Sequence, residues 1–206
     1  MILFPTGIAI TDVEQKSLLH IASDPEAWLN GVIAEKVRLR RDALIEEWRP
    51  RLFADSSVTE LPANSTDLAA LIMARDDYQT RLQRDAAQDP PVALNRHATA
   101  KFEGTSRAGM TVRRPDRVPG DATVTLFSSG INIADTDANC ILAYVQDLSD
   151  WVIGALMGQI NRGKKKMIAQ YHPVILADSR VTTMPGTEDG LINMIVARSD
   201  YQRLGG

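Results

Sequence analysis

The sequence contains few of the side chains that usually carry out chemistry. Of its 206 residues, one is cysteine, three are histidine and 5% are aromatic. The single Cys140 excludes an internal disulfide bond. A metal site needs several converging ligands and a nucleophile needs a base beside it, and no such spacing is present. We therefore expect a protein that is not an enzyme and that uses neither a cofactor nor a metal ion.

Strong net charge and long apolar runs are also missing. The formal net charge is −3, which argues against a dedicated polyanion binder. No apolar run approaches the roughly 18 residues needed to span a bilayer, and no signal-peptide pattern opens the sequence. We expect a protein that is neither membrane-embedded nor exported by a signal, and that is synthesised in a reducing interior. An apolar content of 44% is enough to build a core.

The sequence instead contains a second copy of its own beginning. Residues 124–206 align without a gap on residues 1–83, and 25 of the 83 aligned positions are identical. Composition alone would give about one in sixteen. Two amphipathic helices that share a period would not also match loop residues such as Pro62 and Pro185. We infer a tandem duplication with three parts: repeat 1 (1–83), a linker (84–123) and repeat 2 (124–206).

The matched positions predict a fold that is mainly α with short β-strands, an α+β protein. In each copy a short apolar run reaches a glycine, and alternating isoleucines then lead to an aspartate, which predicts strand, turn, strand and helix cap. The first helix is expected over about 12–22 and 135–146. A long helix should begin after Asp24 and Asp147 and end before Pro50 and Pro173. A third, shorter helix should follow, giving two tandem three-helix repeats.

The linker has no counterpart in either copy. Two short segments, 100–103 and 110–113, flank a stretch that begins and ends with glycine and could form a β-hairpin. The prolines and glycines of the linker equally suit an irregular connector. Both interpretations remain open.

Aromatic residues recur at equivalent places in both copies. Their recurrence predicts structural or interface anchors, either within the core or on an assembly surface. These residues are Trp28, Trp48 and Tyr78 in repeat 1 and Trp151, Tyr171 and Tyr201 in repeat 2.

Charged residues also recur. A basic segment of the long helix is expected to be a solvated face or to pair with acids of a neighbouring chain, and contact with nucleic acid phosphates is the less favoured alternative. Its members are Lys36, Arg38, Arg40 and Arg41 in repeat 1 and Arg162, Lys164, Lys165 and Lys166 in repeat 2. The run after Gly163 resembles a phosphate loop only superficially, because it lies in the middle of a helix. The repeated aspartates at 55, 77, 178 and 200 are expected in helix-terminating turns rather than as acid and base.

One combination of these features resembles a known family. The pattern Asp24-x-x-x-Trp28, a basic helix, Glu47-Trp48-x-Pro50, the loop proline and Arg75-x-x-Tyr78 is similar to small tailed-bacteriophage proteins encoded among virion structural genes. Repeat 2 keeps the pattern but has Gln170-Tyr171 in place of the Glu-Trp pair. The resemblance covers both repeats and carries no enzymatic motif.

The resemblance implies a non-enzymatic structural component of a virion, in the tail, neck or collar, or fibre-attachment region. Its partners would be other virion proteins and itself, as a ring or a three- or six-fold homo-oligomer. It would be synthesised in the cytoplasm of the host bacterium and incorporated into the virion. The alternative is a phage accessory protein, such as a fibre-assembly chaperone or a nucleic-acid-binding regulator.

Overall fold

The computed structural model of this chain describes residues 1–88 and 123–202, and this part is mainly helical with short strands, as predicted. The first half contains β1 (Ile2–Leu3), β2 (Ile8–Thr11), α1 (Asp12–Leu19), α2 (Pro25–Ala54), α3 (Ser65–Met73) and α4 (Arg81–Gln88). The second contains β3 (Thr123–Leu126), β4 (Ile131–Asn132), α5 (Asp135–Leu142), α6 (Leu148–Ala177) and α7 (Glu188–Val196). The expected hairpin of the linker lies outside the described residues.

Equivalent helices of the two halves have the same lengths. Helices α1 and α5 have 8 residues, α2 and α6 have 30, and α3 and α7 have 9. The turn before β2 is also repeated before β4, with Gly7 at φ 79° and Gly130 at φ 77°. A Cβ atom on Gly7 would lie 2.7 Å from the carbonyl oxygen of Leu126. Both the positive φ and this close approach of the backbone therefore require glycine in the turn. This correspondence is what the predicted duplication requires.

The strands of the two halves pair with each other rather than within one half. Strand β1 pairs antiparallel with β4, placing Ile2 opposite Asn132. Strand β2 pairs antiparallel with β3, placing Ile8 opposite Leu126. Each two-stranded sheet therefore takes one strand from each half of the sequence.

The first helix of each half also packs against the other half. Helix α1 packs against α6 and α7, while α5 packs against α2 and α3. The central hydrophobic cluster contains buried residues of both halves. A second cluster around Trp48 includes Cys140 and Ala143 of the other half, and a third around Tyr171 is contacted by Val13. The two sequence repeats therefore share their cores.

The first helix of each half begins at the predicted residue, but its cap and its C-terminal end differ from the prediction. Thr11, not Asp12, caps α1: its hydroxyl accepts from the Glu14 N–H at 3.2 Å, and the Glu14 carboxylate accepts from the Thr11 N–H at 2.7 Å. Helices α1 and α5 are also shorter than expected, because the chain turns at His20 and Ala143 towards the next helix. The predicted caps of the long helices, Asp24 and Asp147, are confirmed.

The prediction that the long helices end before their prolines is wrong. Helices α2 and α6 run through Pro50 and Pro173 to Ala54 and Ala177. Both prolines are exposed, so water can hydrate the carbonyl group that loses its helical donor. The final turn of each helix also buries an apolar side chain, Leu52 in α2 and Ile175 in α6, and this burial stabilises the extra turn.

Helix α4 was not predicted and crosses the expected boundary at residue 83. It lies against the end of α5, where the Arg84 guanidinium donates to the carbonyl oxygen of Ala143. The Gln146 amide also donates to Asp85 at 2.7 Å. Because a helix leaves its last carbonyl groups unpaired, Arg84 acts as a cap supplied by the other half of the chain.

Candidate functional site

Two side chains of types that often carry out catalysis are packed inside the protein. Cys140 and His20 are both buried. Burial raises the pKa of the Cys140 thiol to about 11, which keeps it protonated at neutral pH. His20 lies beside the rings of Tyr171 and Tyr201, with ring centroids 6.1 and 6.0 Å away. Within the described residues no group of His, Cys, Asp or Glu is arranged to hold a metal ion.

The repeated aspartates belong to two arginine clamps. The Arg75 guanidinium contacts Asp55 at 2.6 Å and Asp77 at 2.9 Å, which ties the end of α2 to the turn after α3. In the second half, Arg198 contacts Asp178 at 3.1 Å and Asp200 at 2.8 Å. The prediction of helix-terminating turns is confirmed for Asp55 and Asp178, which are the C-caps of α2 and α6.

Neighbouring hydrogen-bond donors, among them the clamp arginines, hold the capping carboxylates in their charged form. Hydrogen bonds from Ser57 and Arg75 lower the pKa of Asp55 to about 2. Hydrogen bonds from Arg180, and then from Arg198, lower the pKa of Asp178 well below its usual range. A general acid or base needs a pKa near the operating pH, so these two carboxylates are suited to structure rather than proton transfer.

Four of the recurrent aromatic residues form two pairs, one near the C-terminal end of α2 and the other near that of α6. Trp48 lies 6.0 Å from Tyr78 between ring centroids, and Tyr171 lies 5.6 Å from Tyr201. The hydroxyl of Tyr78 donates to the carbonyl oxygen of Asn139 in α5 at 3.0 Å. Each pair therefore contacts the first helix of the other half, or the residue that follows it, and stabilises the packing between the halves.

Trp28 and Trp151 lie elsewhere, near the start of α2 and α6. Both are partly buried and pack against the central cluster. They contact the core without being enclosed by it.

Half of the recurrent basic side chains are engaged within the protein. Arg38 pairs with Glu35 at 2.6 Å and Asp42 at 2.7 Å. Arg41 pairs with Asp137 of α5 at 3.0 Å, Lys164 pairs with Asp189 at 2.7 Å, and Arg40 lies over the ring of Tyr144. In the described part of the chain, no ion pair holds the other four, which are exposed: Lys36, Arg162, Lys165 and Lys166. Within the described residues, only part of the basic segment is therefore exposed without an ion pair.

A groove of about 590 Å³ lies between α2 and the residues that lead into α5. Its apolar lining includes Ile33, Val37 and Ile131, and the Arg41–Asp137 pair lies at its edge. Ala34 lines it, whereas Met157 at the matching place in α6 packs against the central cluster.

Two large apolar side chains are exposed at the same place in both halves. Phe53 in the last turn of α2 is 70% exposed, and Leu176 in the last turn of α6 is 64% exposed. Single exposed apolar residues are common, but exposure at equivalent ends of two related helices marks these turns as candidate contact surfaces. The sequence pattern did not identify either residue, although each lies three positions after a proline that both copies share.

Comparisons with protein-family models, curated proteins and solved structures found no match. Among the described residues, none of the helices combines the length and apolar character needed to cross a membrane. The interlocked fold and the surfaces of its two long helices are therefore the basis for a functional proposal.

Proposed function

We propose that this protein is a non-enzymatic structural component of a tailed-bacteriophage virion, located in the tail, neck or collar, or fibre-attachment region. The observation that carries the proposal is the interlocking of the two halves into one unit with two similar ends. At each end the same elements recur: an aromatic pair, an arginine clamp and an exposed apolar side chain on the last turn of a long helix.

Such a unit suits a symmetric assembly. One chain presents two nearly equivalent sets of surfaces, so a trimer could match a six-fold ring and a hexamer a twelve-fold ring. Differences between the halves, such as Arg162 in place of Leu39, would allow one end to bind a different neighbour. The exchanged strands and helices also favour a rigid building unit, because separating the halves would expose both shared cores.

Mass spectrometry of purified virions from a phage that encodes this protein tests the proposal. The proposal predicts peptides of this chain at a fixed ratio to known structural proteins, retained through gradient purification. Absence from particles, with abundant protein in the infected cell, would reject a virion role.

The exposed cations of α6 favour one second candidate, a phage accessory protein that binds nucleic acid. Arg162, Lys165 and Lys166 lie at i, i+3 and i+4 on the exposed surface of α6. Binding through such a surface should weaken steeply as salt is added, because phosphate contacts release counterions. A binding titration with duplex and single-stranded DNA over a salt series distinguishes this candidate, and an absence of binding at low salt excludes it.

A further inference from the structure

The outward face of each long helix forms a stripe along the surface. In α2 the stripe follows the spacing i, i+4, i+7, i+11, i+14 and i+18, which keeps the side chains on one side of a helix. We define the α2 stripe as Glu35, Leu39, Asp42, Glu46, Arg49 and Phe53, all of them exposed or partly exposed. The matching positions of α6 are Gly158, Arg162, Lys165, Ala169, His172 and Leu176, which we define as the α6 stripe and which are also exposed or partly exposed.

The two stripes carry opposite charge. The α2 stripe contains three carboxylates and one guanidinium, so its formal charge is −2, whereas the α6 stripe contains two cations and no carboxylate, so its charge is +2. Arg38 lies beside the α2 stripe and reduces its excess of negative charge. Even so, equivalent faces of two related helices have opposite sign, and like faces would repel while unlike faces attract.

The carboxylates of the α2 stripe are available for exchange. Glu35 and Asp42 pair with Arg38, and Glu46 pairs with Arg49, in each case along one helix. All of these side chains are between 44% and 65% exposed. Exposed pairs of this kind contribute little to stability. Replacing these ion pairs by contacts with another chain would therefore cost little stability.

A notch beside the α2 stripe brings carboxylates and apolar side chains together. The cavity, of about 200 Å³, lies between α2 and the start of α3. Asp42 and Glu46 line it together with Arg49, which pairs with Glu46, and with the apolar side chains of Ile45 and Leu68. The methylene stem of a lysine or arginine can pack on the apolar side chains while its charged end reaches the carboxylates. Lys165 has this chemistry.

Apolar side chains lie on both stripes and would be covered by the same contact. Leu39 is 52% exposed and Phe53 is 70% exposed on the α2 stripe, and Leu176 is 64% exposed on the α6 stripe. Stripes that combine apolar anchors with charged neighbours resemble protein–protein interfaces.

We propose that the α2 stripe of one copy of this chain binds the α6 stripe of a second copy. This contact is heterologous, because two different surfaces meet, and the pair keeps one unused stripe of each sign, the α6 stripe on one copy and the α2 stripe on the other. Repetition of the contact builds a ring if the rotation closes and a filament if it does not. This inference deepens the proposed function and rests on the self-assembly contained in it.

Substitutions that reverse the charge of one stripe or of both test the proposal in purified full-length protein. The variant Asp42→Lys/Glu46→Lys makes both stripes basic, and Arg162→Glu/Lys165→Glu makes both acidic. In sedimentation velocity over a concentration series at low ionic strength, the wild type should form oligomers. Each double variant should associate at least about a hundredfold more weakly, because like charges would face each other. The quadruple variant, which exchanges the two signs, should recover assembly.

A matched control separates the surface from the overall charge. Glu60→Lys/Asp76→Lys changes the net charge as much as Asp42→Lys/Glu46→Lys does, but at exposed positions outside the stripes, and it should assemble like the wild type. Circular dichroism checks that each variant is folded, and if the lysine double variant is unfolded, Asp42→Asn/Glu46→Gln takes its place and should still weaken assembly.

Three results would overturn the inference: a wild type that stays monomeric at every concentration, double variants that assemble normally, or a quadruple variant that remains monomeric. Its failure is distinct from that of the proposed function. A monomer that is present in virions refutes the contact alone, whereas an oligomer that depends on the stripes but is absent from virions refutes only the virion role.

Discussion

Replacing Gly163 with alanine should force α1 and α6 apart. Gly163 is buried in the middle of α6, where the backbone of α1 passes over it. A Cβ atom at this position would lie 2.8 Å from the carbonyl carbon of Ser17 and closer still to its oxygen. Because these are main-chain atoms of a helix, they cannot rotate away, and the two helices must move.

The magnitude follows from two opposing effects. Inserting a methyl group into a well-packed core costs about 1–3 kcal/mol, and the rigid obstacle places this site at about 2–3 kcal/mol. Alanine stabilises a helix by about 1 kcal/mol relative to glycine. We therefore expect Gly163→Ala to lower the free energy of unfolding by about 1–2 kcal/mol.

Gly154 in the same helix supplies the matched control. It is exposed, and nothing lies within 4 Å of the Cβ that alanine would add, so Gly154→Ala should stabilise the protein by up to about 1 kcal/mol. Urea denaturation followed by circular dichroism measures both variants. The difference between them, about 2–3 kcal/mol, isolates the steric effect. Equal stability of the two variants would refute the close approach of α1 to α6.

Three further predictions concern the shared cores and the titrating groups. A fragment of residues 1–88 should be unfolded or dimeric in sedimentation equilibrium, and a folded monomer would contradict the shared cores. Because the pKa of Asp55 falls from 3.8 to about 2 on folding, its contribution to stability disappears as the pH falls through that interval, and denaturant titrations should show Asp55→Asn lacking this loss. Burial and the charge of Lys166 lower the pKa of His20, so the stability of the protein should fall as the pH drops below 6.5. Thermal melts of His20→Phe over the same pH range should show a smaller fall. A pH profile equal to that of the wild type would exclude His20 as the cause.

Local signals in the sequence were sufficient to predict six of the seven described helices, all but α4, but not their partners. Asp24 and Asp147 predicted the start of the long helices because capping depends on a few neighbouring residues. The pairing of β1 with β4 and the packing of α5 on α2 could not be predicted in this way. Both halves have the same apolar pattern, so the sequence does not distinguish packing within a half from packing between halves.

The proline prediction failed for a related reason. A proline inside a helix is locally unfavourable, and this cost is all that the sequence shows. The compensating burial of Leu52 and Ile175 depends on the tertiary structure. Likewise, the Arg41–Asp137 pair joins residues 96 positions apart, so the sequence did not show that part of the basic segment pairs with acids of the same chain.

A signal for the arginine clamps was present in the sequence. Arg75, Asp55 and Asp77 all have identical counterparts in the second copy, and the structure brings each set of three together. The stripes were harder to detect, because they depend on differences between the copies rather than on identities. Asp42 and Lys165 occupy equivalent positions with opposite charge, and that contrast acquires meaning only when both are seen on outward helix faces.

A cryo-electron microscopy reconstruction of the intact phage particle tests the central claim most directly. The account predicts density for this chain in the tail, the neck or collar, or the fibre-attachment region, arranged as a symmetric ring in which an α2 stripe meets an α6 stripe. A complete reconstruction in which every chain of these regions is assigned to other proteins would contradict a structural role in the virion.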